Sequence, residues 1–223
     1  MSLLVIGGHT RNVGKTSVVA GLIAALRDLH WTAMKITQYG HGICSANGEA
    51  CDCATGDHSW AVSEEKDRSG ESDTSRFLVA GADHSWWVRT QQGHLAEAMP
   101  RIRTIISYAK TQNAKTGNVI IESNSILHFL KPDLYLTVLD PATEDFKASA
   151  QQFLDRADAV LLHVDHNSGN SVRKTPVWRQ VSLKPVANRP TFAIDSRNYV
   201  TAEIVEFVRA RLSGQLEGRQ ERH

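Results

Sequence analysis

The stretch "LLVIGGHTRNVGKTSVVAGLIAALRDL", residues 3 to 29, decides the fold. It opens as a strand over "LLVIGG" (3 to 8), crosses a short polar loop, and continues into "TSVVAGLIAALRDL" (16 to 29), which has the period and length of a helix. Between the two stands Gly14-Lys15-Thr16. A glycine-rich loop exposes successive backbone N–H groups, and the helix behind it adds the partial positive charge of its N-terminus, so together they make an anion site. Lysine and a hydroxyl at this point suit a polyphosphate carrying Mg²⁺. Lys15 would neutralise the β and γ oxygens, and Thr16 would give its hydroxyl to the metal.

This is the context that a Walker A motif requires. The candidate nucleotide-binding residues are Gly8, His9, Asn12, Val13, Gly14, Lys15, Thr16 and Ser17. The strict pattern, G-x4-G-K-[ST], would place glycine where His9 stands, with Gly8 one residue earlier. His9 is read as a contact to phosphate or substrate or, as loop histidines more often are, as solvent-exposed.

Outward from this unit, short apolar runs alternate with longer helical segments, the signature of β-α units and a parallel sheet. Strands are expected at "WTAMKIT" (31 to 37), "HSWWVRT" (84 to 90), "NVIIES", "DLYLTVLD", "DAVLLHVD" and "PTFAID". Helices are expected over 72 to 82, 94 to 110 (with Pro100 as a kink or true start), 145 to 157, and 201 to 214 with Gly214 as C-cap. Trp86 and Trp87 are read as core, and the stretches 38 to 71 and 166 to 189 as long irregular loops. The fold class is α/β, a doubly wound, mostly parallel sheet with helices on both faces.

With 223 residues, 41% of them hydrophobic, the chain can bury one sizeable core, so 1–223 is read as a single P-loop NTPase domain with a Cys/His-containing loop at about 38–71. Lysine plus arginine number 25 against 24 acidic residues, so no net field points to nucleic acid or a membrane surface. Neither a signal peptide nor a membrane span is legible, and a cytoplasmic protein is expected.

The loop "GHTRNVGKT" resembles the G-T-x-T-x-V-G-K-T loop of dethiobiotin synthetases, which also has five residues between its glycines. Lys35, ending a strand in "AMKIT", resembles the lysine that faces the phosphates in that family and in the molybdopterin-guanine dinucleotide biosynthesis adaptors (the B component). "ESDTSRFLVAGA" is similar to the adaptors' K-D-S-x-x-x-R-x-A-G-A and, in Ser72-Asp73, to the S-D that supplies a magnesium carboxylate in dethiobiotin synthetases. "NVIIESNS" resembles the V-E-G segment of both families, with Ser123 and Asn124 where they have glycine and its neighbours. The resemblance implies Mg²⁺ among Thr16, Asp73 and Glu122, and a catalytic set of Lys15, Lys35 and Glu122. For Asp73 alone a helix N-cap, and for Glu122 an exposed strand end, are the simpler readings. "PVANRP" (185 to 190) faintly resembles the asparagine segment that meets adenine in dethiobiotin synthetases, but reads equally as a turn.

All three cysteines, Cys44, Cys51 and Cys53, lie between His41 and His58. The spacing H-x2-C-x6-C-x-C-x4-H matches no common zinc finger, yet three thiolates with one histidine suit tetrahedral Zn²⁺, and three thiolates alone can hold an iron-sulfur cluster with an open corner. Inert packing or redox-active thiols are the other reading.

The expected function is therefore a Mg-dependent NTP-binding protein or NTPase of cofactor biosynthesis, using ATP or GTP, similar to the molybdopterin-guanine dinucleotide adaptor. One rival is an ATP-dependent ligase or kinase activating a small carboxylate. The other is a nucleotide-gated metallochaperone using the cysteines. The partners expected are the nucleotide, an enzyme of cofactor biosynthesis and a second copy in a homodimer.

Overall fold

The computed structural model describes residues 2–39, 59–111, 117–164, 177–178 and 181–220. The unit that opens the chain forms as its sequence dictates: β1 (Leu3–Gly8) runs through the loop into α1 (Lys15–Ala25). β1 is buried along its whole length. Leu3 and Val5 face one core and Leu4 and Ile6 the other, which is why the strand reads as a continuous apolar run with no polar alternation.

The chain continues through β2 (Trp31–Tyr39), β3 (Trp60–Glu64), α2 (Asp73–Ala80), β4 (His84–Gln91), α3 (Leu95–Thr111) and β5 (Asn118–Glu122). It then adds β6 (Leu134–Leu139), α4 (Ala148–Gln152), β7 (Ala159–His163), β8 (Thr191–Ile194) and α5 (Ala202–Gln220). Among the described residues the strands form one eight-stranded sheet in the order β3-β4-β2-β5-β1-β6-β7-β8. All neighbours are parallel except β3, which pairs antiparallel with β4 at the edge.

Residues of α1, α2 and α5 bury one face of the sheet; residues of α3 and the 153–157 turn bury the other. The doubly wound α/β architecture is thus observed. β1 lies between β5 and β6, where the winding direction reverses, and open α/β sheets bind ligands at the carboxyl edge of such a switch point.

Four local expectations are corrected. β3 lies inside the stretch expected to be irregular. The helix expected over 145–157 is only α4 plus a 3-10 turn, Leu154–Arg156. α5 runs through Gly214 to Gln220, so that glycine is no C-cap, and α3 continues across Pro100. The core reading holds for Trp86, which is half-buried against the core on the α3 side with the Arg101 guanidinium 5.5 Å from its ring centre, while Trp87 is half-buried with Arg89 4.5 Å from its ring centre.

Candidate functional site

Two close approaches shape the loop after β1. A Cβ on Gly7 would stand 2.2 Å from Asn124 Oδ1, because the Asn124 amide bridges the backbone of Gly8: its Oδ1 accepts from the Gly8 N–H (3.0 Å) and its Nδ2 donates to the Gly8 carbonyl (2.8 Å). Gly14 has φ +89°, and a Cβ there would lie 2.2 Å from Tyr199 Cε1. Glycine is required at 14 on both counts. Val13 is buried, and its carbonyl accepts a hydrogen bond from His163 Nε2 (3.0 Å).

Gly14 is the N-cap of α1 and no side chain caps that end. The first-turn N–H groups of Lys15, Thr16 and Ser17 therefore have neither an intrahelical partner nor a side-chain cap, as an anion site requires. Exposed Asn12, at φ 56°, turns the loop in the left-handed region. Lys15 Nζ bends back to donate to the Thr10 carbonyl (2.6 Å). Burial pushes its ammonium below the ordinary lysine value; Glu122 opposes this and Lys35 adds to it.

The residues expected to surround Mg²⁺ converge. Lys35 and Glu122 are register partners on β2 and β5, and Glu122 also pairs with Ile6 on β1, so the carboxylate stands beside the root of the loop. Thr16 Oγ1 donates to Glu122 Oε2 (2.8 Å). Lys35 Nζ lies 3.3 Å from Glu122 Oε1 and 3.3 Å from Thr16 Oγ1, and it contacts Asp73 directly. The N-cap of α2 is Ser72, whose hydroxyl accepts from the Ser75 N–H, so Asp73 is released from capping to face Lys35. Arg76 holds this side together, with Nη1 3.7 Å from Asp73 and Nη2 donating to Ser17 Oγ (3.2 Å). A hydroxyl and two carboxylates are hard donors suited to Mg²⁺, and the position between them already accommodates a cation, the Lys35 ammonium. The donor set fits the ion.

His9 departs from expectation. Its ring is fully buried against Phe146 (5.2 Å) and Trp178 (4.8 Å), its N–H donates to Val138 (3.2 Å), and its carbonyl accepts from the Lys147 N–H (2.8 Å). Burial holds its pKa below the ordinary histidine value, favouring the neutral ring. His9 is thus corrected from an exposed loop residue to a buried one that anchors the loop; its backbone N–H is taken by Val138, while its Nε2 has no hydrogen-bond partner among the described residues. Asn188, in the "PVANRP" segment, is exposed in a turn before β8, where Arg189 N–H bonds Val186.

His41, Cys44, Cys51, Cys53 and His58 lie outside the described residues. Among the described residues no group of three or more His, Cys, Asp or Glu is placed to hold a metal. Sequence reasoning also passed over Asn124, Arg76, His163 and Tyr199. Asn124 alone carried a signal, a polar residue where the resembling families have the glycine segment.

No family model and no curated protein matches the chain in sequence. Among solved structures, HypB from Helicobacter pylori in complex with nickel is similar at TM-score 0.51 and 16% identity, over 98% of this chain and 87% of that one. The apo form of LpxK from Aquifex aeolicus in complex with ATP matches at TM-score 0.46 and 16% identity, over 86% of this chain and 53% of that one. The first likeness shows the fold alone: a doubly wound α/β sheet, mostly parallel. No described helix is long and apolar enough to cross a membrane.

Proposed function

We propose that this chain binds Mg-NTP at the loop after β1 and acts on its terminal phosphate, as a nucleotide-driven adaptor or NTPase in cofactor biosynthesis. The observation that carries the reading is the convergence of an uncapped α1 N-terminus, two lysines and three hard oxygen donors on one sheet edge. The α1 amides would hold the phosphate chain. Lys15, released from the Thr10 carbonyl, and Lys35, released from the carboxylates, would stabilise charge developing on the transferred phosphoryl group. Thr16, Asp73 and Glu122 would hold Mg²⁺, which would offset charge on the phosphate oxygens. Arg76 would keep Asp73 turned toward the site.

Calorimetric titration with ATP and with GTP, each with Mg²⁺, tests the reading. Saturable binding of at least one nucleotide is expected, with slow hydrolysis by the protein alone. Absence of binding to both defeats it, and ADP release that depends on an added small carboxylate would favour a ligase instead.

A second reading, nucleotide-gated metal handling, is favoured by the likeness to HypB, a structure solved with nickel, and by the three cysteines and two histidines that follow β2 in the sequence. Protein purified anaerobically without added metal should then carry about one zinc, or iron with acid-labile sulfide, per chain. The Cys51→Ser, Cys53→Ser double variant should lose it in elemental analysis. Three freely titratable thiols and no stoichiometric metal would remove this reading and leave the first.

A further inference from the structure

We propose that Lys147 is a third polyphosphate-binding cation of this site, closing on the phosphate chain from the side opposite Lys35. The inference rests on the nucleotide-binding reading above and deepens it. Lys35 and Glu122 reach the loop from β2 and β5, on one flank of β1. Lys147 follows β6, on the other flank.

The segment between β6 and Lys147 is fastened to the loop. The Asp140 amide lies 3.5 Å from His9 Nδ1, Thr10 Oγ1 donates to Asp145, and the Lys147 N–H donates to the His9 carbonyl (2.8 Å). These contacts fix the Lys147 backbone against the root of the phosphate loop and explain what the buried His9 is for. The side chain is half-buried there.

Two cations, Lys15 and Arg11, act on that side chain more strongly than two carboxylates, Asp145 and Glu122. Burial pushes its ammonium down to about 8; Lys15 and then Arg11 push the same way, against the weaker pull of Asp145 and Glu122. An ammonium kept half-buried beside two other cations costs stability in the free protein. Such an arrangement is compensated when a polyanion arrives, since each phosphate oxygen near Lys15, Arg11 and Lys147 favours the charged forms.

The sign of the pH dependence follows. A bound polyphosphate raises the Lys147 pKa from about 8 towards or beyond the ordinary 10.5, so above pH ~8 binding takes up a proton. Affinity should then fall as pH rises through that range, because the free protein must first gain the proton.

The test uses the full chain and inorganic tripolyphosphate, then Mg-ATP and Mg-GTP, titrated calorimetrically at pH 8.5 in two buffers of different ionisation enthalpy. Wild type should take up a substantial fraction of a proton per ligand bound. Lys147→Met should lose that uptake and weaken binding roughly ten- to a hundred-fold, the range of a charge-assisted contact. Lys147→Arg, which cannot deprotonate, should keep most of the affinity without the proton uptake, a result that a merely structural role for Lys147 would not give. Parental affinity and parental proton uptake in Lys147→Met would overturn the inference while leaving nucleotide binding intact. A wild-type protein that binds none of the three ligands would overturn both.

Discussion

Lys15→Ala will give a folded protein that no longer binds Mg-ATP or Mg-GTP, with affinity reduced roughly a hundred-fold or more. Among the described residues the ammonium donates only to the Thr10 carbonyl of its own loop, a group that water can satisfy once the lysine is gone. Lys15 belongs to neither hydrophobic core, so its removal opens no core cavity. Burial lowers its pKa, which means that the folded state bears a cost for holding this charge, and losing it should leave thermal unfolding unchanged or slightly raised. Calorimetric titration beside a melting curve separates the two effects, and unchanged affinity for both nucleotides would end the phosphate-loop reading.

Glu122→Gln will act on the metal more than on the nucleotide. Its side chain is 6% exposed and sits between Thr16 and Lys35, whereas Asp73 is 38% exposed and shares its charge with Arg76. Losing the buried carboxylate removes a hard donor and one negative charge facing Lys15 and Lys35. The Mg²⁺ concentration for half-maximal turnover should rise at least tenfold, while nucleotide affinity in EDTA holds or increases, since the cations are then less compensated. Asp73→Asn should move the same curve less. A Glu122→Gln protein with the parental magnesium titration would show that this carboxylate only positions Thr16 and Lys35.

Why some of this is legible in the sequence and some is not comes down to range. β1 announces itself because both faces of the sheet are covered there and a buried strand reads as an unbroken apolar run, while β2 shows through its apolar Trp31, Ala33, Met34 and Ile36. β3 does not: none of the five residues of "WAVSE" is fully buried, and its partner β4 lies beyond a charge-rich stretch. The helix expected over 145–157 fails because Phe153 and Leu154 reach the core from a tight turn, so apolar spacing exists without a continuous helix. At the site, the carried-over Thr16, Lys35, Asp73 and Glu122 do meet, because Lys35, Glu122 and the loop root share one strand register. His9 is buried rather than exposed because Phe146 and Trp178, distant in the sequence, cover its ring. Its φ is not positive and its backbone is ordinary, so the extra residue between Gly8 and Gly14 can carry a side chain, and the left-handed turns fall at Asn12 and Gly14.

The ammonium of Lys35 among Thr16, Asp73 and Glu122 has a consequence for the order in which ligands enter. A charge tethered to the same chain competes with free divalent cation at an effective concentration that dilution cannot lower. Solvent Mg²⁺ alone must expel Lys35 with nowhere favourable for it to go, whereas a Mg-nucleotide complex brings the phosphates that receive it. On the Mg-NTP reading proposed above, metal and nucleotide should load cooperatively, as one chelate, and the idle protein should be protected from trapping whichever divalent ion is most abundant.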